Sequence, residues 1–183
     1  MTYTIHDYPS VEERRMHTVP FINHIISSGN ADDMILVCEA MQEKTLAGIA
    51  ERIASSPSVK AVLLAGPSSS GKTSTSRRLC IQLMACGRHP VALSMDNWYV
   101  PRRETPLDAD GNPDYETVYA VDLNRFNADI SDLVSGKEVR LPTYNFVTGE
   151  REYHGERLRL TDDMIMVIEG IHALNPIVSE HIP

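Results

Sequence analysis

The sequence predicts an α/β fold in which a parallel sheet carries helices on its flanks. Three short apolar runs, Val59–Ala65, Val91–Met95 and Met164–Ile168, have the continuous apolar character of strands that are buried on both faces. The segment between the first two runs has helical periodicity and ends at Gly87. These elements form a βαβ unit, so we expect parallel strands joined by a right-handed crossover.

Composition limits the domain count and the classes of partner. The chain has 183 residues, of which 42% are hydrophobic, so it can form one core domain with an appendage. A formal net charge of −8 without a cluster of basic residues argues against a nucleic-acid partner. No apolar run is long enough for a membrane span, and the first residues lack a signal-peptide pattern. We therefore expect a cytoplasmic protein without a membrane partner.

Taken in order, the chain begins with an appendage over residues 1–55, followed by the main domain over residues 56–183. Residues 1–30 are predicted to be an irregular arm with one short helix. After an aspartate that can cap it, a longer helix continues to about Ser55, because apolar residues recur every three or four positions. The apolar stripe of this helix is expected to pack on the sheet.

The loop after the first strand predicts a phosphate site. Its sequence, Gly66-Pro-Ser-Ser-Ser-Gly71-Lys72-Thr73, fits the pattern G-x-x-x-x-G-K-[ST] without mismatch, between a strand and a helix. Glycines let backbone N–H groups point inward, and the next helix directs its positive end at the same place. A Gly/Ser-rich turn could match by chance, but would not require this strand-loop-helix context. The pattern indicates a P-loop NTPase-type sheet. The residues expected to bind nucleotide are Gly66, Ser68, Ser69, Ser70, Gly71, Lys72, Thr73 and Ser74.

The remaining elements follow from periodicity and turn residues. His89-Pro90 is predicted to turn the chain into the second strand, and a long segment without periodicity then continues to Val121. A helix is expected from Asp122 to about Ser135. Lys137–Leu160 is predicted to form a small β-hairpin off the main sheet, with its turn at Thr148-Gly149.

Two acids follow apolar strands and are candidates for catalysis or metal binding. Asp96 ends the second strand and Glu169 ends the third. Because ligands bind outside the carboxyl ends of parallel strands, both acids should lie in one crevice with the phosphate loop. One can hold Mg²⁺, and the other can accept the proton of an attacking hydroxyl. The alternative is that each acid only caps a turn or a helix start.

Five motifs in order resemble those of the uridine kinase and phosphoribulokinase family. The resemblance covers about residues 59–180. The motifs are the Gly66–Thr73 loop, Leu93–Tyr99, Asp114–Leu123, Pro142–Phe146 with Arg151, and Val167–Leu174.

This resemblance implies ATP and Mg²⁺ as cofactors and assigns roles at the reacting end. Asp96 corresponds to the acid that receives the proton of a nucleoside 5′-hydroxyl, and Lys72 is the second catalytic residue. Thr73, Glu169 and Asp96 are the implied metal ligands.

The resemblance also implies a substrate region and an incomplete chain. Its implied substrate residues are Tyr99 beside the catalytic acid, Asp114 at the ribose hydroxyls, Tyr144 and Phe146 at the pyrimidine ring, and Arg151. Gly149 stands where a histidine often helps to read the base, and Asn145 replaces an aspartate, so loose substrate choice is expected. The family continues into an arginine-bearing lid and two further strands, which are absent here. The edge of Val59–Ala65 would then be bare, and we expect either self-association as a homo-oligomer or coverage by residues 1–55.

The function predicted from these observations is ATP-dependent phosphoryl transfer to a hydroxyl of a uridine- or cytidine-like nucleoside or a related sugar. One alternative is another P-loop ATPase or a GTPase, although a GTPase would require D-x-x-G after an apolar strand and an Asn-Lys-x-Asp motif, and neither is present. A third interpretation is a non-catalytic module that binds ATP and regulates a partner.

Overall fold

The structure, a computed structural model, describes residues 18–179 and Ile182. Most of the predicted arm over residues 1–30 lies outside the described part. The chain divides into two compact units, with the boundary between Thr45 and Leu46. The first unit contains helix α1, Val19–Ser27, and the start of helix α2, Ala31–Ala54. The short helix expected in the arm and the longer helix after it are therefore present.

The second unit is built on a parallel three-stranded sheet, which confirms the predicted fold class. Its strands are β1 (Ala61–Leu64), β2 (His89–Ser94) and β7 (Met164–Glu169), in the order β1-β7-β2. Helix α3, Lys72–Ala85, connects the first two strands. Glu169 is in register with Leu64 on one side and Ser94 on the other. The register brings the ends of all three strands to the same edge.

Two details of the strand predictions are wrong. His89 and Pro90 lie inside β2 rather than in a turn before it, and Pro90 is tolerated because β2 is at an edge of the sheet. β1 was expected to be buried on both faces, but its residues are only half-buried, because β1 is the other edge. Within the described residues β7 is its single strand neighbour. Self-association through the open edge stays a prediction.

Each face of the sheet packs against its own apolar cluster. Because side chains alternate along a strand, the odd and even residues of the central strand β7 enter different clusters. Ile165 and Val167 pack with α3 and with the part of α2 after Leu46. Met166 and Ile168 pack with helix α4, Leu123–Val134. Ile165–Ile168 are fully buried, so β7 is the centre of the hydrophobic core.

The remaining elements are short. The hairpin predicted off the main sheet is confirmed, with strand β4 (Thr143–Asn145) paired to strand β5 (Glu150–Glu152) across the turn that contains Thr148-Gly149. Its continuation is a second antiparallel pair of β3 and β6. Within residues 18–179, no helix combines the length and apolar character needed to cross a membrane. The bounds are β3 Val139–Arg140, β4 Thr143–Asn145, β5 Glu150–Glu152, β6 Arg157–Leu158, helix α5 Pro176–Ser179, and 3-10 helices Met95–Trp98, Arg102–Glu104 and Val118–Ala120.

Candidate functional site

The predicted phosphate loop connects β1 to the first turn of α3. Gly71 precedes the helix with a φ of 85°, and Ser69 has a φ of 61°, a region that non-glycine residues rarely adopt. At Gly66 an added Cβ would lie 2.8 Å from the Ser70 hydroxyl oxygen, so any side chain there would have to displace that hydroxyl. Ser68, Ser70 and Ser74 are exposed. The loop therefore has the tight backbone that a phosphate cradle requires.

Lys72 begins α3 and extends its side chain back over this loop. Its ammonium donates a hydrogen bond to the Pro67 carbonyl oxygen at 2.9 Å. Its positive charge also reaches Asp96 and partly counteracts the rise in the pKa of that carboxyl. Lys72 thus lies between the loop and the acid that follows β2.

Two carboxylates and one hydroxyl meet at the carboxyl edge of the sheet. The Thr73 hydroxyl donates to Glu169 Oε1 at 3.1 Å, and Glu169 is only 6% exposed. Burial, and then the negative charge of Glu169, raise the pKa of Asp96. Mutual repulsion of this kind is relieved by a cation, and the three groups offer the oxygen ligands that Mg²⁺ prefers. The predicted metal ligands are therefore brought together and fit a magnesium ion.

Asp96 lies in the 3-10 helix after β2 rather than at the strand end, and Tyr99 follows that helix. The Tyr99 hydroxyl is directed at the Asp96 carboxylate and lowers the pKa of that acid against the larger effect of burial. Burial, followed by the charge of Asp96, raises the pKa of Tyr99, so the phenol stays a donor at neutral pH. Tyr99 is consequently a positioning partner for the acid.

A cavity of about 520 Å³ opens beside these residues. The predicted residues Ser68, Asp96, Tyr99, Tyr144 and Phe146 all line it. The sequence interpretation missed the other lining residues, which are Arg102, Tyr115, Glu116 and Ile171.

Three aromatic rings form one wall of the cavity. Tyr99 and Tyr144 have ring centroids 5.6 Å apart, and Tyr144 and Phe146 have centroids 5.1 Å apart, both edge-to-face. Tyr144 is 6% exposed, whereas Phe146 is 60% exposed. The wall therefore combines a fixed inner ring with an open outer ring, an arrangement suited to contact with a flat ligand.

The structure does not bring Asp114 into this cavity. The Asp114 carboxylate accepts a hydrogen bond from the Glu116 backbone N–H at 3.0 Å and so closes a local turn. Glu116, two residues later, lines the cavity and accepts a hydrogen bond from the Ser68 hydroxyl at 3.3 Å. The Asp-Tyr-Glu sequence contained this signal, since it offers two acids, but no periodicity indicated which one faces the crevice.

Arg151 is also absent from the cavity lining. Its guanidinium pairs with Asp122 at 2.9 Å. Asp122 in turn caps α4 by accepting a hydrogen bond from the Arg125 backbone N–H at 3.0 Å. In this arrangement Arg151 stabilises a helix start rather than contacting a ligand.

A buried contact between Trp98 and Asp129 holds the helix that carries Asp96, and the sequence interpretation did not find it. The Trp98 indole N–H donates to Asp129 Oδ2 at 2.9 Å, and both side chains are buried. Asp129 also pairs with Arg125 at 3.0 Å, and the Trp98 ring packs edge-to-face on Phe126. Helix α4 thereby fixes the position of the candidate catalytic turn.

Comparison with known proteins finds the same family over most of the second unit. A family profile described as the Phosphoribulokinase / Uridine kinase family matches residues 61–180. Uridine-cytidine kinase C of Dictyostelium discoideum is 32% identical over 118 residues, which are 64% of this chain and 24% of that protein. A uridine kinase of Deinococcus deserti is 30% identical over 111 residues, which are 61% of this chain and 52% of that protein. The chain thus spans about half, or less, of the length of these relatives.

Among solved structures, a possible uridine kinase from Bacillus stearothermophilus superposes with a TM-score of 0.64. Its sequence is 20% identical, and the match covers 78% of this chain and 77% of that chain. At this identity the superposition supports the fold alone. The profile match, which covers more than half of the sequence, shows that the chain belongs to the Phosphoribulokinase / Uridine kinase family.

Proposed function

We propose that this chain binds ATP and transfers its γ-phosphoryl group to a hydroxyl of a nucleoside-like substrate. The observation that carries this proposal is the single cavity that contains Ser68 of the phosphate loop, Asp96 and the aromatic wall. A phosphate donor and a flat acceptor could therefore meet beside a carboxylate. Uridine- and cytidine-like nucleosides, or a related sugar, are the proposed acceptors, because the relatives are named uridine and uridine-cytidine kinases.

Lys72 and the loop N–H groups bind and position the nucleotide in this proposal. Phosphoryl transfer needs little covalent help from the protein, and its rate depends on alignment and on charge stabilisation. The Lys72 ammonium, which lies over the loop, would follow the transferring phosphoryl charge. Loss of this charge should therefore affect both nucleotide binding and transfer.

Asp96 is the proposed general base. A base is most effective when its pKa lies closer to the working pH, and burial raises the pKa of Asp96 in that direction. The Tyr99 hydroxyl acts in the opposite direction and favours the charged carboxylate, which is the form that accepts a proton. The acid would accept the proton that leaves the attacking hydroxyl.

Thr73, Glu169 and Asp96 would hold Mg²⁺, which in phosphoryl transfer neutralises charge on the phosphate oxygens. Within residues 18–179 no cluster of three or more His, Cys, Asp or Glu side chains forms a metal site. An ion held by these residues would therefore need ligands from phosphate oxygens and water as well, which is typical of Mg²⁺.

Glu116 takes the hydroxyl-binding role that the sequence assigned to Asp114. A carboxylate accepts two hydrogen bonds from neighbouring hydroxyls, and Glu116 lines the cavity between the phosphate loop and Tyr115. Tyr144 and Phe146 would contact the ring of the substrate. Phe146 has the exposed surface to do so.

Nucleotide-dependent thermal stabilisation and ADP release test the proposal. With Mg²⁺, ATP should stabilise the chain more than GTP does, and ADP release should require a nucleoside or sugar. Asp96→Asn should retain stabilisation by ATP and lose the release of ADP. Asp110→Asn, at an exposed loop position outside the cavity, is the matched control and should behave as wild type.

Two outcomes would contradict the proposal in different ways. If ATP with Mg²⁺ gave no stabilisation, the nucleotide site would be wrong. If ATP stabilised the chain but uridine, cytidine and ribose all failed to bind beside it, the chain would be a non-catalytic nucleotide-binding module.

A further inference from the structure

Arg102 is fixed against the turn between β4 and β5, although the two lie far apart in sequence. Its backbone N–H donates to the Gly149 carbonyl oxygen at 2.8 Å. Its guanidinium donates to the carbonyl oxygen of Phe146, and at 3.5 Å to that of Val147. Arg102 is therefore held at three points of the turn that carries the outer aromatic ring, once through its backbone and twice through its side chain.

The turn is shaped to accept this arginine. Gly149 is buried and has a φ of 74°. An added Cβ at this position would lie 2.6 Å from Arg102 Cβ and 2.8 Å from Arg102 Nε, which is closer than real contacts allow. Both the backbone angle and the available space therefore require glycine. Arg102 occupies the space that a side chain at position 149 would otherwise fill.

Arg102 and Asp96 line the same cavity as the three aromatic rings. The Tyr99 hydroxyl is directed at Asp96. The Tyr99 ring packs edge-to-face with the rings of Tyr144 and Phe146. Arg102 lines the same cavity, and its positive charge is close enough to Tyr144 to oppose the rise that burial causes in the pKa of that phenol. The cavity thus offers a carboxylate for the reacting hydroxyl and a guanidinium beside the aromatic rings.

We propose that Arg102 is a specificity-determining residue that donates a hydrogen bond to the exocyclic oxygen at position 4 of a pyrimidine substrate. A guanidinium has five donors and no acceptor, so it can bind a ring oxo group but cannot bind a ring amino group favourably. The inference rests on the proposed nucleoside site and names its selectivity: a pyrimidine with an oxo group at position 4, as in uridine, over one with an amino group there, as in cytidine, since the oxo group at position 2 is common to both.

This inference replaces the expectation of loose substrate choice. That expectation assumed that Gly149 leaves the ring without a side-chain partner. Because Arg102 occupies the space beside Gly149, the site has a charged donor after all. A site that hydrogen-bonds a substrate group rejects analogues that lack it.

The test compares the dissociation constants of uridine and cytidine, each measured by calorimetry with ADP and Mg²⁺ present. The wild-type chain should prefer uridine by about 10- to 100-fold, the contribution of one charge-assisted hydrogen bond. Arg102→Met keeps the aliphatic stem and removes the donors, so the ratio should approach one. Gly149→Ala should lower the ratio as well, because its Cβ displaces the arginine.

Two further variants separate selectivity from damage to the fold. Arg102→Gln supplies an amide oxygen that accepts from an amino group, so its cytidine affinity should exceed that of Arg102→Met. A misfolded protein cannot show this gain. Arg103→Met is the control, because Arg103 is a neighbouring arginine that pairs with Glu104 and Glu150 outside the cavity lining. Its uridine-to-cytidine ratio should equal that of wild type.

The outcomes distinguish the two proposals. If wild type binds uridine and cytidine equally, or if Arg102→Met leaves the ratio unchanged, the role of Arg102 is overturned while the nucleoside site stands. If wild type binds ADP but neither nucleoside, the proposed function fails and this inference fails with it.

Discussion

Replacing Asp129 with alanine should loosen the 3-10 helix that carries Asp96. The Trp98 indole N–H, in a side chain that is 1% exposed, would lose its acceptor at 2.9 Å without access to water. Arg125 would lose its partner as well. The substitution therefore leaves a buried donor unsatisfied beside the candidate base.

The magnitude follows from the burial of each group. An unsatisfied buried donor costs about 1–3 kcal/mol. The ion pair with Arg125, whose side chain is 44% exposed, contributes at most about 1 kcal/mol because solvent screens it. We expect a loss of about 2 kcal/mol in the free energy of unfolding, and a melting temperature about 4–8 °C lower for a chain of this size.

Urea unfolding followed by tryptophan fluorescence measures this effect. The sequence contains one tryptophan, so Trp98 reports directly on the turn. Asp129→Asn retains an oxygen acceptor and should lose less than the alanine variant. Asp132→Ala removes a 45% exposed acid from the same helix and should change stability by less than about 0.5 kcal/mol. If Asp129→Ala unfolded at the wild-type urea concentration with unchanged fluorescence, the proposed support of the turn would be wrong.

Three further substitutions test the site and the sheet. Lys72→Ala should weaken binding of Mg·ATP and abolish transfer, since a charge at the γ-phosphate is lost; unchanged thermal stabilisation by ATP would contradict this. Asp96→Asn should leave ATP binding intact and lower turnover about 10²- to 10⁴-fold, and turnover at the wild-type rate would reduce Asp96 to a capping acid. A hydrogen bond from Thr161, and to a smaller extent one from His89, lowers the pKa of Asp163 to about 2. The charged carboxylate therefore stabilises the native state at every pH above the ordinary pKa of an aspartate. That contribution is lost as pH falls toward about 2. The difference in urea midpoint between wild type and Asp163→Asn should therefore be largest near pH 6 and should disappear as pH falls toward about 2. A difference that does not change with pH would show that charged Asp163 does not stabilise the fold.

The sequence predicted the sheet correctly because its signals are local. The run Met164–Ile168 is apolar throughout, and the structure buries it at the centre of the sheet. The positions of Asp96 and Glu169 after such runs then followed from the rule that parallel strands end at one edge. Pro90 was misplaced because a proline reads as a turn, and only the sheet order shows that its strand is at an edge.

Side chains on the irregular segment after β2 were harder to predict. Asp114 and Glu116 are both acids near the crevice, and their orientations depend on backbone angles that no periodic pattern encodes. Arg102 lines the cavity and packs against Gly149, which is 47 residues later in the sequence. Local sequence patterns cannot reveal a contact between such distant residues. Asp129 reads as a surface acid in an amphipathic helix, yet it is 4% exposed because it accepts from Trp98.

The segment from Asp96 to Arg102 connects the proposed general base to the proposed specificity residue. Asp96 faces Glu169 at the edge of the sheet, whereas Asn97 Oδ1 accepts a hydrogen bond from the Tyr144 backbone N–H at 3.3 Å. The Arg102 guanidinium donates a hydrogen bond to the Phe146 carbonyl oxygen in the turn of the same hairpin. One short stretch of backbone thus contacts both the edge of the sheet and the hairpin. A substrate ring that does not pack against the hairpin would therefore also leave its hydroxyl misaligned with Asp96. Selectivity should therefore appear in the rate of transfer as well as in binding, since misalignment at the reacting atoms raises the barrier directly.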